Sequence, residues 1–170
     1  PLTLSGVPPS EGWIFTFTTS ARKASLTNIV NPAANGMTLV AKMFAVSKVQ
    51  NSCLDNSPVF LEKPYLIVCS GSPYLYMSNC IDSDLDSLVF KMVNPLNSFD
   101  AGSFNPPTNP SEVVFFPNYS ASSPTPGVAI NGSNMGFNLN QSNGDISFTS
   151  VLPGEFVYKS LVEKLTEKVD

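Results

Sequence analysis

The sequence contains no histidine, and Arg22 is its single arginine. Without histidine there is no Ser-His-Asp or Cys-His catalysis and no His-based metal site. It has neither a glycine-rich phosphate loop nor a Cys-x-x-Cys pair. Charge is scarce: 13% of residues are Asp, Glu, Lys or Arg, roughly half the usual share. Nucleic-acid binding needs a basic stripe to neutralise phosphates. Here the formal net charge is −4, and Lys42, Lys48, Lys63 and Lys91 are scattered, so no nucleic-acid partner is expected. The carboxylates Glu11, Asp55, Glu62, Asp100, Glu112, Asp145 and Glu155 are isolated, which leaves no evident acid/base pair, and an enzyme is not expected. No apolar run approaches the ~20 residues of a membrane span, so membrane insertion is not expected. No signal peptide opens the chain. It begins at Pro1 rather than Met and reads as a piece cut from a longer polypeptide.

Hydrophobic residues make up 42% of the chain and 15 residues are proline. Ser, Thr and Asn fill the place of charge. That composition suits β-structure with long ordered loops rather than a helical bundle. Glu11–Ser20 alternates, with Trp13, Phe15 and Phe17 on one face, and predicts a half-buried strand. Further strands are expected at Leu2–Ser5, Ala24–Val30, Val59–Glu62, Tyr65–Ser70, Tyr74–Met77, Leu88–Val93, Glu112–Phe116, Val128–Ile130, Met135–Leu139 and Ile146–Val151. Met37–Val49 follows an Asn35-Gly36 turn signal; its pattern suits helix or strand, and the flanking turns favour a strand. Asn94–Ser111 holds four prolines and a single charge, Asp100, and predicts a long ordered loop. Pro117–Gly127 predicts another. In the tail, Tyr158, Leu161, Leu165 and Val169 fall at helical spacing, with Ser160 and Glu163 as a capping box. The expected fold is therefore all-β: an antiparallel β-sandwich or jelly-roll-like barrel over 1–157, with an amphipathic C-terminal helix over 158–170. That helix packs on the sandwich or on a neighbouring subunit.

Asp82, Asp84 and Asp86 form the one acidic constellation outside the tail. In extended chain such carboxylates point the same way and repel unless solvated or bridged by a cation. They read as a solvated acidic turn or as a structural calcium site built from hard oxygen ligands. The spacing departs from an EF-hand, with Ser87 where glycine belongs and Val93 where the bidentate acid belongs. Of Cys53, Cys69 and Cys80, Cys69 is expected in the core; a Cys53–Cys80 pair is possible, and three reduced thiols are the plainer reading. Asn118, Asn131 and Asn140 begin glycosylation sequons, expected to be unused. Tyr74, Tyr76 and Tyr119 are the candidate binding aromatics.

An all-β module with little surface charge, long Pro/Asn/Ser loops, free cysteines and no basic arm resembles the protruding domain of a capsid protein from a small non-enveloped RNA virus. Nodavirus-like and permutotetravirus-like capsids are the nearest groups. Asp82-Ser83-Asp84 is similar to the Asp-x-Asp calcium motif of some nodavirus protrusions. The resemblance implies a structural virion protein, assembled in the host cytoplasm and displayed on the virion surface. It implies a dimer or trimer that attaches to a host surface receptor or glycan, with calcium at Asp82 and Asp84 steadying the subunit contact. The alternative is a carbohydrate-binding module or an adhesin domain that uses the exposed tyrosines.

Overall fold

The computed structural model describes residues 9, 12–43, 56–62, 67–83, 85–99 and 110–165. Its strands are β1 (Trp13–Thr19), β2 (Met37–Met43), β3 (Val59–Phe60), β4 (Tyr74–Tyr76), β5 (Cys80–Ile81), β6 (Ser87–Met92), β7 (Met135–Leu139), β8 (Ile146–Thr149) and β9 (Ser160–Leu165). They form four small sheets, β1-β2, β3-β5, β4-β8-β7 and β6-β9, and every strand pair in them is antiparallel. The fold is all-β: among the described residues the one helical element is a 3-10 turn at Pro32–Ala34.

The aromatic alternation of Trp13–Thr19 becomes a strand because every second side chain lies on one face. β1 pairs with β2 from Trp13↔Met43 to Thr19↔Met37. The two are joined not by a hairpin turn but by residues 20–36. Asn35-Gly36 lies at the end of that connection, where a Cβ on residue 36 would fall 2.2 Å from Ser98 Cβ and 2.5 Å from the Thr19 carbonyl oxygen. Glycine is there for close packing rather than for a hairpin. Arg22 ties the same corner down, donating from Nε to Gly36 O (2.7 Å) and from Nη2 to Leu96 O (2.9 Å).

Among the described residues the buried hydrophobic side chains are Ile29, Tyr76, Phe90, Leu96, Val113 and Ile146. Aromatic rings extend this set across the three-stranded sheet, from Tyr74 to Phe148 (centroids 5.5 Å apart), on to Phe137 (6.2 Å) and then Tyr158 (5.9 Å). Loops are fastened by a buried polar residue, Asn28, with no exposed surface. Its Nδ2 donates to Pro124 O (2.9 Å) and Val157 O (2.7 Å), its Oδ1 accepts from Val157 N (3.1 Å), and its own carbonyl accepts from Phe116 N (3.1 Å). One amide side chain thus replaces a ladder between three irregular segments.

Several expectations fail for identifiable reasons. The tail is not a helix over its described part: Ser160–Leu165 is β9, paired with β6 from Met92↔Ser160 to Ser87↔Leu165. Leu161 and Leu165 suit either period, and Phe90 supplies a buried partner for Val162 that a surface helix would not meet. Ser160 is accordingly no helix cap. Ala24–Val30 and Glu112–Phe116 form no continuous ladder: they carry isolated bridges, Leu26↔Glu155, Ile29↔Phe115 and Leu96↔Glu112, and the two segments meet through Val30 N donating to Val114 O (2.9 Å) and Phe116 N to Asn28 O (3.1 Å). Val128–Ile130 is a turn. Residues 67–70 form no strand, and Cys69 is an exposed free thiol rather than a core residue. Leu2–Ser5, Phe44–Val49, Cys53 and the tail beyond Leu165 lie outside the described residues.

Candidate functional site

The acidic turn sits between β5 and β6. Leu85 N donates to Asp82 O (3.3 Å) and closes it, with Leu85 in the left-handed region at φ 64°. Asp86 N donates weakly to Asp82 Oδ1 (3.4 Å). Burial leaves the Asp82 side chain only 2% exposed, and an isolated carboxylate at such a place is costly. The counter-charge comes from the tail. On β9, Lys164 faces Leu88 of β6, on the same side of the ribbon as Val162 and Phe90. Its Nζ reaches Asp86 Oδ2 (2.7 Å) and Asp82 Oδ2 (3.1 Å) and donates to Asn56 O (2.9 Å). An ammonium therefore stands between two of the three carboxylates proposed as metal ligands. Asp84 lies outside the described residues.

Two carboxylates and one ammonium sum to a single negative charge, and the amine fills the space between the oxygens that a divalent ion would take. Calcium would have to displace Lys164. Among the described residues no group of three Asp, Glu or Cys side chains converges on one point. Lys164 was not expected here, because helical spacing placed it on a solvated face. The strand period of Ser160–Leu165, which sets Val162 and Lys164 on one side, was the available signal.

From the acidic turn an open groove of ≈ 720 Å³ runs past Leu61, Met77, Leu85 and Phe90 to a polar rim at Asn143 and Asp145. The rim is held by a tight turn. Asn143 Nδ2 donates to Asp145 Oδ2 (2.7 Å), and Asp145 N donates to Asn143 Oδ1 (3.0 Å). Cys80 lines the groove, and burial, with the Asp82 charge behind it, pushes its thiol pKa up. The thiol stays protonated at neutral pH and is a poor nucleophile. The groove joins apolar side chains to a polar rim at Asn143 and Asp145.

The three candidate tyrosines are all engaged in packing or hydrogen bonding. Tyr76 is buried and donates its hydroxyl to Glu62 O (3.1 Å). Tyr74 packs on Phe148, and Tyr119 packs on Phe156 with centroids 6.2 Å apart. Tyr74 and Tyr76 lie on one side of β4, but Tyr76 is buried there, so that side offers no pair of exposed rings for stacking.

Compared with known protein families, curated proteins and solved structures, the chain gives no match.

Proposed function

We propose that this chain is the protruding domain of a small RNA virus capsid: a structural, non-enzymatic module of the virion surface. It self-associates as a dimer or trimer and presents its loop tips to a host receptor or glycan. A sandwich or jelly-roll arrangement of its sheets belongs to the same proposal. The observation that carries the reading is the apolar face of the β1-β2 ribbon. Phe17 and Leu39 face each other there at 60% and 49% exposure, with Met43 exposed further along. A contiguous apolar surface of this kind is characteristic of a subunit that is covered in an assembly.

The loops support the same reading. Their tips are polar but nearly uncharged and are held by their own side chains. Ser133 N donates to Asn131 Oδ1 (2.9 Å), and Ser142 N to Asn140 Oδ1 (3.0 Å). Pre-shaped polar loops on a β scaffold are a common recognition surface. The carbohydrate-module alternative has less support, because its tyrosines are engaged in packing. Calcium enters the proposal only as a competitor of Lys164.

Antibodies raised against the purified chain test the assignment, applied to unfixed extracts of the source and viewed by immunogold electron microscopy. Gold decorating the outside of intact isometric particles is the expected result. Labelling confined to cell surfaces or to soluble protein, with no particles decorated, would overturn it.

A further inference from the structure

We infer that the edge of β9 turned away from β6 pairs with the same edge of a second copy, so that two β6-β9 ribbons join into one four-stranded antiparallel sheet about a twofold axis. The inference deepens the self-association part of the proposed function and rests on that part alone.

The first argument is hydrogen-bond parity. Val93 N donates to Lys159 O (3.1 Å), which makes residues 93 and 159 a hydrogen-bonded pair. Antiparallel pairs alternate between bonded and non-bonded. With the observed register, Lys91↔Leu161 and Val89↔Glu163 are bonded pairs, whereas Met92↔Ser160 and Phe90↔Val162 are not. An independent bond agrees: Phe90 N points away from β9 and donates to Gln141 O (2.9 Å). The backbone amides and carbonyls of Ser160 and Val162 therefore face the far edge of β9. Among the described residues no strand lies on that edge.

The second argument concerns protection. Edge strands are normally guarded by proline, a bulge or an unpaired charge. β9 has no proline, and its pairing with β6 is unbroken by any bulge. Its two charges are already engaged inside the molecule. Glu163 Oε2 lies 2.5 Å from Lys91 Nζ, and Lys164 lies between Asp82 and Asp86.

The third argument is self-complementarity. A twofold axis at Val162 sets the outward groups of Val162 against those of the second copy as a bonded pair. Leu161 then stands opposite Glu163 of the second copy, and Ser160 opposite its Lys164, with no like charges face to face. Leu161, Leu165 and Val89 share one side of the ribbon with Ser87 and the Lys91–Glu163 ion pair, and Leu165 is 49% exposed. A lone two-stranded ribbon is marginal in water, whereas four strands with an apolar face are stable. The occupant that fits is the same strand reversed.

The test is residue-resolved amide hydrogen exchange by NMR on the intact chain across a concentration series, with molar mass from light scattering. The mass is expected to double with concentration. Over the same range the Ser160 and Val162 amides should slow by roughly tenfold or more as they become bonded, while Leu161 and Glu163 are protected throughout. Val162→Pro removes an outward amide, which an edge strand tolerates, and keeps an apolar ring opposite Phe90. It should leave the fold intact and the protein monomeric. An oligomer whose Ser160 and Val162 amides stay unprotected, or which survives Val162→Pro, would overturn the edge pairing and leave self-association standing. A monomer at every concentration would overturn both. The exchange measurement on the unmodified chain decides the matter even if the proline variant does not fold.

Discussion

Asn28 has no exposed surface and uses its whole side-chain amide to join loops that have no ladder of their own. Removing that amide leaves a buried N–H and two carbonyls without partners, each worth about 1–3 kcal/mol. Asn28→Ala is expected to lower stability by about 3 kcal/mol in urea unfolding. Asn28→Asp, which keeps the shape but loses the donor, should cost a similar amount. Lys164 is the second decisive residue. Lys164→Met strips the ammonium from a nearly buried carboxylate, and breaking a pair of this kind costs about 3–5 kcal/mol. In the double variant Asp82→Asn/Lys164→Met much of that loss should return. Calcium supplies a sharper readout. The unmodified protein should show no rise in melting temperature with calcium, whereas Lys164→Met, with its carboxylates uncovered, should show one.

At the level of elements, β6 is the hub. It pairs with β9, and its Phe90 amide bonds the loop at Gln141. The Asn143-Gly144 turn closes over Phe90. Gly144 has φ +76°, and a Cβ there would lie 2.7 Å from the Phe90 ring. Gly144→Ala should therefore destabilise by about 1–3 kcal/mol, from left-handed strain and overpacking together. Phe90→Ala should cost about 3–5 kcal/mol. The two effects should not add, because both act on one contact. How well the elements read from sequence follows from their environment. β1, β4, β6, β7 and β8 were legible where strict alternation or an aromatic run met clear turn signals. Ala24–Val30 and Glu112–Phe116 were misread as strands because their apolar residues serve single bridges and an Asn28 clamp, which leave no periodic trace. β9 was misread because Leu161 and Leu165 satisfy both periods, and only the pairing with β6 decides between them. At the acidic turn, the carboxylates were visible in sequence, but their counter-ion, a lysine from the far end of the chain, was not.

At the scale of the molecule, many large hydrophobic side chains remain exposed, among them Phe17, Ile67, Leu75 and Leu85. Such a chain is expected to depend on partners for part of its stability. The aromatic ladder adds an alkaline limit. Burial, reinforced by the neighbouring Tyr76 and Tyr74, pushes the Tyr158 phenol up to about 12. A group raised above its unfolded value of about 10 contributes stability that is complete below that value and is lost as pH climbs through the folded one. Unfolding is therefore expected to set in between about pH 10 and 12, with the last tyrosine ionising, by ultraviolet absorbance, in the same transition. A phenol that titrates freely near its ordinary value while the fold persists would contradict the packing around Tyr158. The account as a whole meets its most direct test in the molar mass of the purified chain, measured by light scattering with calcium and then with a chelator. It predicts a dimer or trimer of unchanged mass in both, because Lys164 already serves the acidic turn and protein surfaces carry the association. A monomer in both conditions would contradict it.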